Sequence, residues 1–170
     1  MRALVILLVV LASTSCALTP QTPIAPAPTR AAGYEPLASF IGRWTLKGDE
    51  DSYLETCGWY EGGFHVVCHN ERKRSDGSTG KGMGILGYLP DKDSYTYYGI
   101  GSKGRNETMN GTFRSGIFEF SSESRADGKI VKARVRIGPF GSREVPFIAE
   151  TSIDGGPWKM DATITYLKLD

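Results

Sequence analysis

From residue 42 to residue 167 the chain alternates apolar and polar positions with a period of two, in short runs broken by turn-forming residues. That period marks half-buried strands, because successive side chains of a strand point to opposite faces. The alternation is cleanest in two places. Over 129–137, Val131, Ala133, Val135 and Ile137 share one face, with Lys132, Arg134 and Arg136 on the other. Over 158–167, Trp158, Met160, Ala162, Ile164 and Tyr166 share the inward face, opposite Lys159, Asp161, Thr163 and Thr165. Further strands are predicted from Gly42 onward and over 81–89, 94–100, 107–113, 117–122 and 143–152. Turn signals at 75–78, 90–93, 115–116, 127–128, 139–142 and 154–156 separate them. The one helical signal is a single turn over 36–41. One apolar face per strand with short connections predicts an antiparallel meander. About ten such strands either expose edges or close, and closure removes the edges. The expected fold is all-β, an antiparallel up-and-down barrel with a short N-terminal helical turn.

The stretch Glu55 to Arg74 predicts its own register. Gly62-Gly63 suits a two-residue hairpin loop, whose type I′ turn needs positive φ at both central positions. Centred there, Glu61 faces Phe64, Trp59 faces Val66 and Cys57 faces Cys68. Opposed residues on one face have Cβ atoms roughly 4.5–5.5 Å apart, and a disulfide prefers about 3.5–4.5 Å, so a small twist closes the gap. Cys57 and Cys68 are the expected disulfide, with Gly62 and Gly63 as structural residues of its turn. The next hairpin, centred on 90–93, puts Ile85 opposite Tyr98 and Met83 opposite Ile100. Its other face puts Leu86 opposite Tyr97 and Gly84 opposite Gly99. The aliphatic face, with Met83, Ile85, Gly87 and Leu89, is assigned to the core, and the tyrosines of the other face are expected to cover neighbouring glycines.

The N-terminus changes the picture from a barrel to an exported barrel. Arg2 is followed by an apolar core over 3–12, too short to span a bilayer comfortably. Ser13-Thr14-Ser15-Cys16 resembles a bacterial lipobox, in which the cysteine is lipidated and becomes the first residue; Ser13 stands where an aliphatic residue is expected. Cleavage after Ala17 is the rival reading, giving a soluble periplasmic or secreted protein. Cysteine arithmetic agrees with lipidation at Cys16, since three cysteines are one hairpin pair plus one. Ala17 carries no acidic retention signal, so the resemblance implies an outer-membrane anchor facing the periplasm. Pro20, Pro23, Pro26 and Pro28 then make residues 17–33 an extended tether. Residues 34–170 remain as one domain, able to bury about two-thirds of its unfolded surface.

Charge and motifs mainly exclude. The chain holds 20 basic and 19 acidic residues, and losing the leader removes only Arg2. This balance argues against a nucleic-acid partner, which needs many phosphate contacts. His65 and His69 share a strand face about 13 Å apart, too far to hold one metal ion. No nucleophile elbow, P-loop or His-Glu-x-x-His pattern occurs, and no metal or cofactor is expected. Asp49-Glu50-Asp51 reads as a solvated turn. Lys129, Lys132, Arg134, Arg136 and Arg143 form an outer basic patch, read as a solvated face that discourages edge pairing.

Phe40-Ile41-Gly42-Arg43-Trp44 resembles the opening Gly-x-Trp strand of the calycin barrels, the lipocalins and fatty-acid-binding proteins, which marks Gly42 and Trp44 as structural. Further segments follow in order: Cys57 to Phe64, Val66-Val67-Cys68, Gly84 to Tyr88 and Ser152 to Trp158. Together they resemble an uncharacterised bacterial family of calycin-like domains of unknown function. The resemblance implies a barrel and supplies no established chemistry. Lipocalins place a basic residue from the last strand over the opening Trp, and Lys168 is the residue available for it here. A haem barrel of the nitrobindin type draws its iron-ligating His from late strands, and this chain has none after His69.

Three functional readings follow. The first is a lipid-tethered barrel that binds a small apolar or amphiphilic molecule, with Tyr98, Met160, Ala162 and Tyr166 as lining residues. The second is a packed barrel that serves as an envelope interaction protein. The third is a barrel enzyme, an isomerase or hydrolase, which requires a buried carboxylate–Tyr or carboxylate–His pair in the interior.

Overall fold

The computed structural model describes residues 30–104 and 106–170. A 3-10 helix, Ala32–Phe40, precedes ten strands. They are β1 Gly42–Leu46, β2 Tyr53–Trp59, β3 His65–Lys73, β4 Thr79–Leu89, β5 Ser94–Gly101, β6 Asn106–Arg114, β7 Ile117–Ala126, β8 Lys129–Ile137, β9 Glu144–Ile153 and β10 Lys159–Lys168. Each pairs antiparallel with its neighbour in the chain, and β1 pairs with β10 to close the barrel. The expected all-β, up-and-down barrel is the observed fold, and it is consistent with a calycin-like architecture. The export signal, Cys16 and the tether as far as residue 29 lie outside the described residues. From Arg30 the chain is seated on the barrel: its guanidinium pairs with Glu35 at 2.9 Å and lies 4.6 Å over the Trp59 ring.

The β2–β3 hairpin has the register expected from its glycines. Cys57 faces Cys68, Trp59 faces Val66, and the two sulfurs are bonded at 2.01 Å. The turn is one step longer than expected. Tyr60 N donates to His65 O, so residues 61–64 form the loop, with Gly62 and Gly63 both at positive φ. Symmetric lengthening about the same centre preserves the pairing.

One end of the barrel is plugged by aromatic rings. Phe118 is fully buried, with ring centroids 4.5 Å from Phe113 and 5.0 Å from both Phe40 and Tyr95. Offset and edge-on pairs of this kind add attraction beyond their buried area. The 3-10 helix is strapped across this end by two hydrogen bonds, Trp44 Nε1 to Phe40 O at 2.7 Å and Tyr95 Oη to Gly33 O at 2.8 Å. Lys168 pairs with Trp44 in register and sets its Nζ 5.2 Å from the Trp ring, the place a lipocalin gives to a basic residue. Gly42 lies beneath this contact at φ +126°. A Cβ there would approach Lys168 Cε to 3.0 Å and Asp170 Oδ1 to 2.9 Å.

Two face assignments are corrected. On β4 and β5 the inward face carries Gly82, Gly84, Leu86, Tyr95 and Tyr97, while Tyr98 and Ile100 are exposed, Tyr98 by 44%. Both faces of this hairpin are apolar, so its own periodicity could not choose between them. The neighbours choose: inward Cys68 pairs with Gly84, inward Val66 pairs with Leu86, and inward Met109 pairs with Tyr97. The expected tyrosine-over-glycine contact does occur, but inside the barrel. A Cβ on Gly84 would lie 3.0 Å from the Tyr97 ring, and one on Gly99 would lie 2.6 Å from its hydroxyl.

On β10 the inward row is interrupted. Met160 pairs with Glu150 and Ala162 pairs with Ala149, which leaves Asp161 as an extra residue in a β-bulge. Ala162, Ile164 and Tyr166 therefore face in, as expected. Met160, 65% exposed, and Trp158 are turned outward, where the Arg134 guanidinium lies 4.2 Å over the Trp158 ring. The basic patch of β8 is largely ion-paired: Arg134 and Arg136 reach Glu150 at 2.8 and 3.2 Å, and Lys132 reaches Glu123 at 3.4 Å.

Candidate functional site

Above the aromatic plug the barrel is hollow. A cavity of about 150 Å³ is walled mainly by apolar side chains, among them Leu86, Met109, Phe120, Val135 and Phe147. Its polar groups are few: Glu55 from β2, Glu107 from β6, Tyr97 from β5 and Tyr166 from β10. A second hollow of about 240 Å³ lies over the bare backbone of Gly82, Gly99 and Gly101, with Asn70 on its wall. Tyr97 and Glu107 line both hollows and so stand between them. The glycines of β4 and β5 make this room: a Cβ on Gly84 or Gly99 would crowd Tyr97, and one on Gly82 would crowd Asn70.

Local strand geometry assembles the polar group. Cys57 faces inward through its disulfide, and the period of two places Glu55 and Tyr53 on the same face. Register sets Asn70 opposite Glu55 and Arg72 opposite Tyr53. Burial pushes the Glu55 carboxyl up to about 7, against the pull of hydrogen bonds from Asn70 and Tyr53. Burial raises both Tyr53 and Tyr166 well above the usual phenol range. The Tyr53 hydroxyl has one proton to give and donates it to Glu55, with Tyr166 beside it, and burial keeps both phenols protonated. At the rim Arg72 pairs with Asp49, and its guanidinium lies 6.0 Å from the Tyr53 ring centroid. Asp49 also accepts a hydrogen bond from Ser52, so the acidic 49–51 turn is tied into the loop, as a turn reading requires.

Of the four residues expected to line a ligand site, Tyr166 is on the cavity wall. Ala162 faces in beside Ala149. Tyr98 and Met160 point to the outer surface, for the register and bulge reasons given above. Sequence reasoning missed Tyr53, Glu55, Asn70 and Tyr97. For the first three a signal existed. Once Cys57 and Cys68 are placed inward, every second residue along both arms follows, and that includes a carboxylate. The Sγ atoms of Cys57 and Cys68 and a Glu55 carboxylate oxygen lie within 4.8 Å of one another. With the two sulfurs bonded to each other, the carboxylate is the group of this trio that can act on a ligand. His65 and His69 are exposed on the outer face of β3, away from the cavity. Compared with protein-family models and with curated proteins, the chain matches none.

Proposed function

We propose that this chain is a lipid-tethered binding barrel of the bacterial cell envelope, holding a small amphiphilic molecule in its interior. The observation that carries the reading is the unfilled cavity above a plugged barrel end, apolar on most of its wall with one convergent polar group. Ligand sites have this composition: apolar surface supplies affinity and a few placed polar atoms supply orientation. A packed barrel, the rival reading, would fill this volume at the density of ordinary protein interiors. The envelope address rests on the leader, the lipobox-like Cys16 and the proline-rich tether.

The test is native mass spectrometry of the full chain released gently from envelope extract, followed by titration of small apolar probes into wild type and Val135→Phe. A co-purified small molecule, or a probe that binds wild type and is excluded by the added ring, supports the reading. A stably folded protein that carries no ligand and binds no probe refutes it.

An enzyme reading gains one specific observation, the buried Glu55–Tyr53 pair. A carboxyl tuned near neutral pH beside a phenol donor is suited to moving protons. A catalysed change in a bound molecule, lost in Glu55→Gln with binding retained, would select it.

A further inference from the structure

We infer that the cavity takes a small organic cation, an amine whose ammonium sits against Glu55 and whose hydrocarbon part fills the apolar wall. The inference rests on the binding reading above and names its ligand class.

Four observations converge on positive charge. First, Glu55 is held by neutral donors, Asn70 and Tyr53, and it joins no ion pair among the described residues. A buried carboxylate without a cation is costly, and a ligand ammonium would offset that cost directly. Second, Glu107 lines the same cavity, while no lysine, arginine or histidine is among its described lining residues. An anionic ligand such as a fatty acid meets no cation among those residues, while the Glu55 carboxyl faces it. Third, of the inward-register cations, Arg72 at the rim is already paired with Asp49, and Lys168 at the plugged end lies over the Trp44 ring. Fourth, Tyr97, Tyr166, Phe120 and Phe147 present aromatic rings to the cavity, and ring faces attract ammonium groups. The volume limits the hydrocarbon part, since a cavity of this size accepts a molecule about as large as benzene.

Proton linkage sharpens the expectation. Glu55 titrates near neutrality because burial disfavours its charge. An ammonium favours the ionised form, so it binds more tightly as pH rises from 6 to 8 across that titration, while a neutral ligand of the same shape does not.

The test uses three probes of matched shape, benzylammonium, benzyl alcohol and benzoate, titrated calorimetrically into the full chain at pH 6 and pH 8. The expected result is benzylammonium binding about tenfold or more tighter than benzyl alcohol at pH 8, the scale of one charged hydrogen bond, with benzoate weakest. Glu55→Gln is expected to abolish the preference for the ammonium while leaving the alcohol within about threefold. The wild-type ranking stands as a test even if a variant fails to fold. If the alcohol equals the ammonium, or benzoate binds best, the cation assignment is wrong and the binding reading survives. If none of the three binds the folded wild type, both fail.

Discussion

Tyr53 and Glu55 stand two residues apart on the inward face of β2, and the phenol of the first donates to the carboxyl of the second inside the barrel. The pair places a group that titrates near neutral pH in a wall that is otherwise mostly apolar. Its consequences for stability and for ligand choice have the same origin, the cost of taking a carboxylate out of water.

Stability should fall as pH rises because of Glu55. Its folded pKa, about 7, lies above its ordinary value of 4.5, so between these values the native state holds a proton that the unfolded chain has released. The group contributes no penalty below that window, an increasing one through it, and a constant one above it. The shift corresponds to on the order of 3 kcal/mol at most. Glu55→Gln should flatten this decline and leave the variant more stable than wild type at pH 8. Urea midpoints at pH 5 and pH 8 check it, and an identical slope in both proteins would remove Glu55 as the cause.

Reducing the Cys57–Cys68 bond should destabilise the barrel without dismantling it. The bond closes a short loop, with a sequence separation of 11. Loop-closure entropy then predicts a loss of about 3 kcal/mol. The measurement is the denaturation midpoint of wild type and of Cys57→Ala/Cys68→Ala, with and without a reductant. Wild type should shift on reduction and the double variant should not.

The bulge at Asp161 separates two methionines that composition alone treats alike. Met160 lies on the outer surface, and Met160→Ser should change stability by less than about 0.5 kcal/mol. Met109 is 2% exposed on the cavity wall, and Met109→Ala should cost about 2–5 kcal/mol. A large loss from Met160→Ser would place the inward row where strict alternation puts it and abolish the bulge.

Cys16 should carry lipid if the tether reading is right. Palmitate labelling in cells expressing wild type and Cys16→Ser gives the answer. Label in the first and not in the second is expected; equal labelling, or none in either, would leave cleavage after Ala17 as the better account.

The sequence determined the class of fold, the strand order and the Cys57–Cys68 cross-link. These depend on local chemistry: alternation sets which residues can share a face, turn residues set where the chain reverses, and Gly62-Gly63 centres a hairpin whose arithmetic brings Cys57 to Cys68. The likeness to lipocalins left Lys168 as the one residue available to cover Trp44, and the closed barrel decided that it does. Tertiary structure decided which apolar face of the β4–β5 hairpin points inward, because both faces are apolar and only the pairing of Gly84 with Cys68 and of Tyr97 with Met109 distinguishes them. It decided the fate of Met160 and Trp158 as well, since a single extra residue in β10 reverses every side chain beyond it and leaves no mark on the alternating pattern. The cavity arose from both choices together. Glycines yield space only on the side that faces in, and Glu55 acquires its unusual titration only when the closed barrel removes its water.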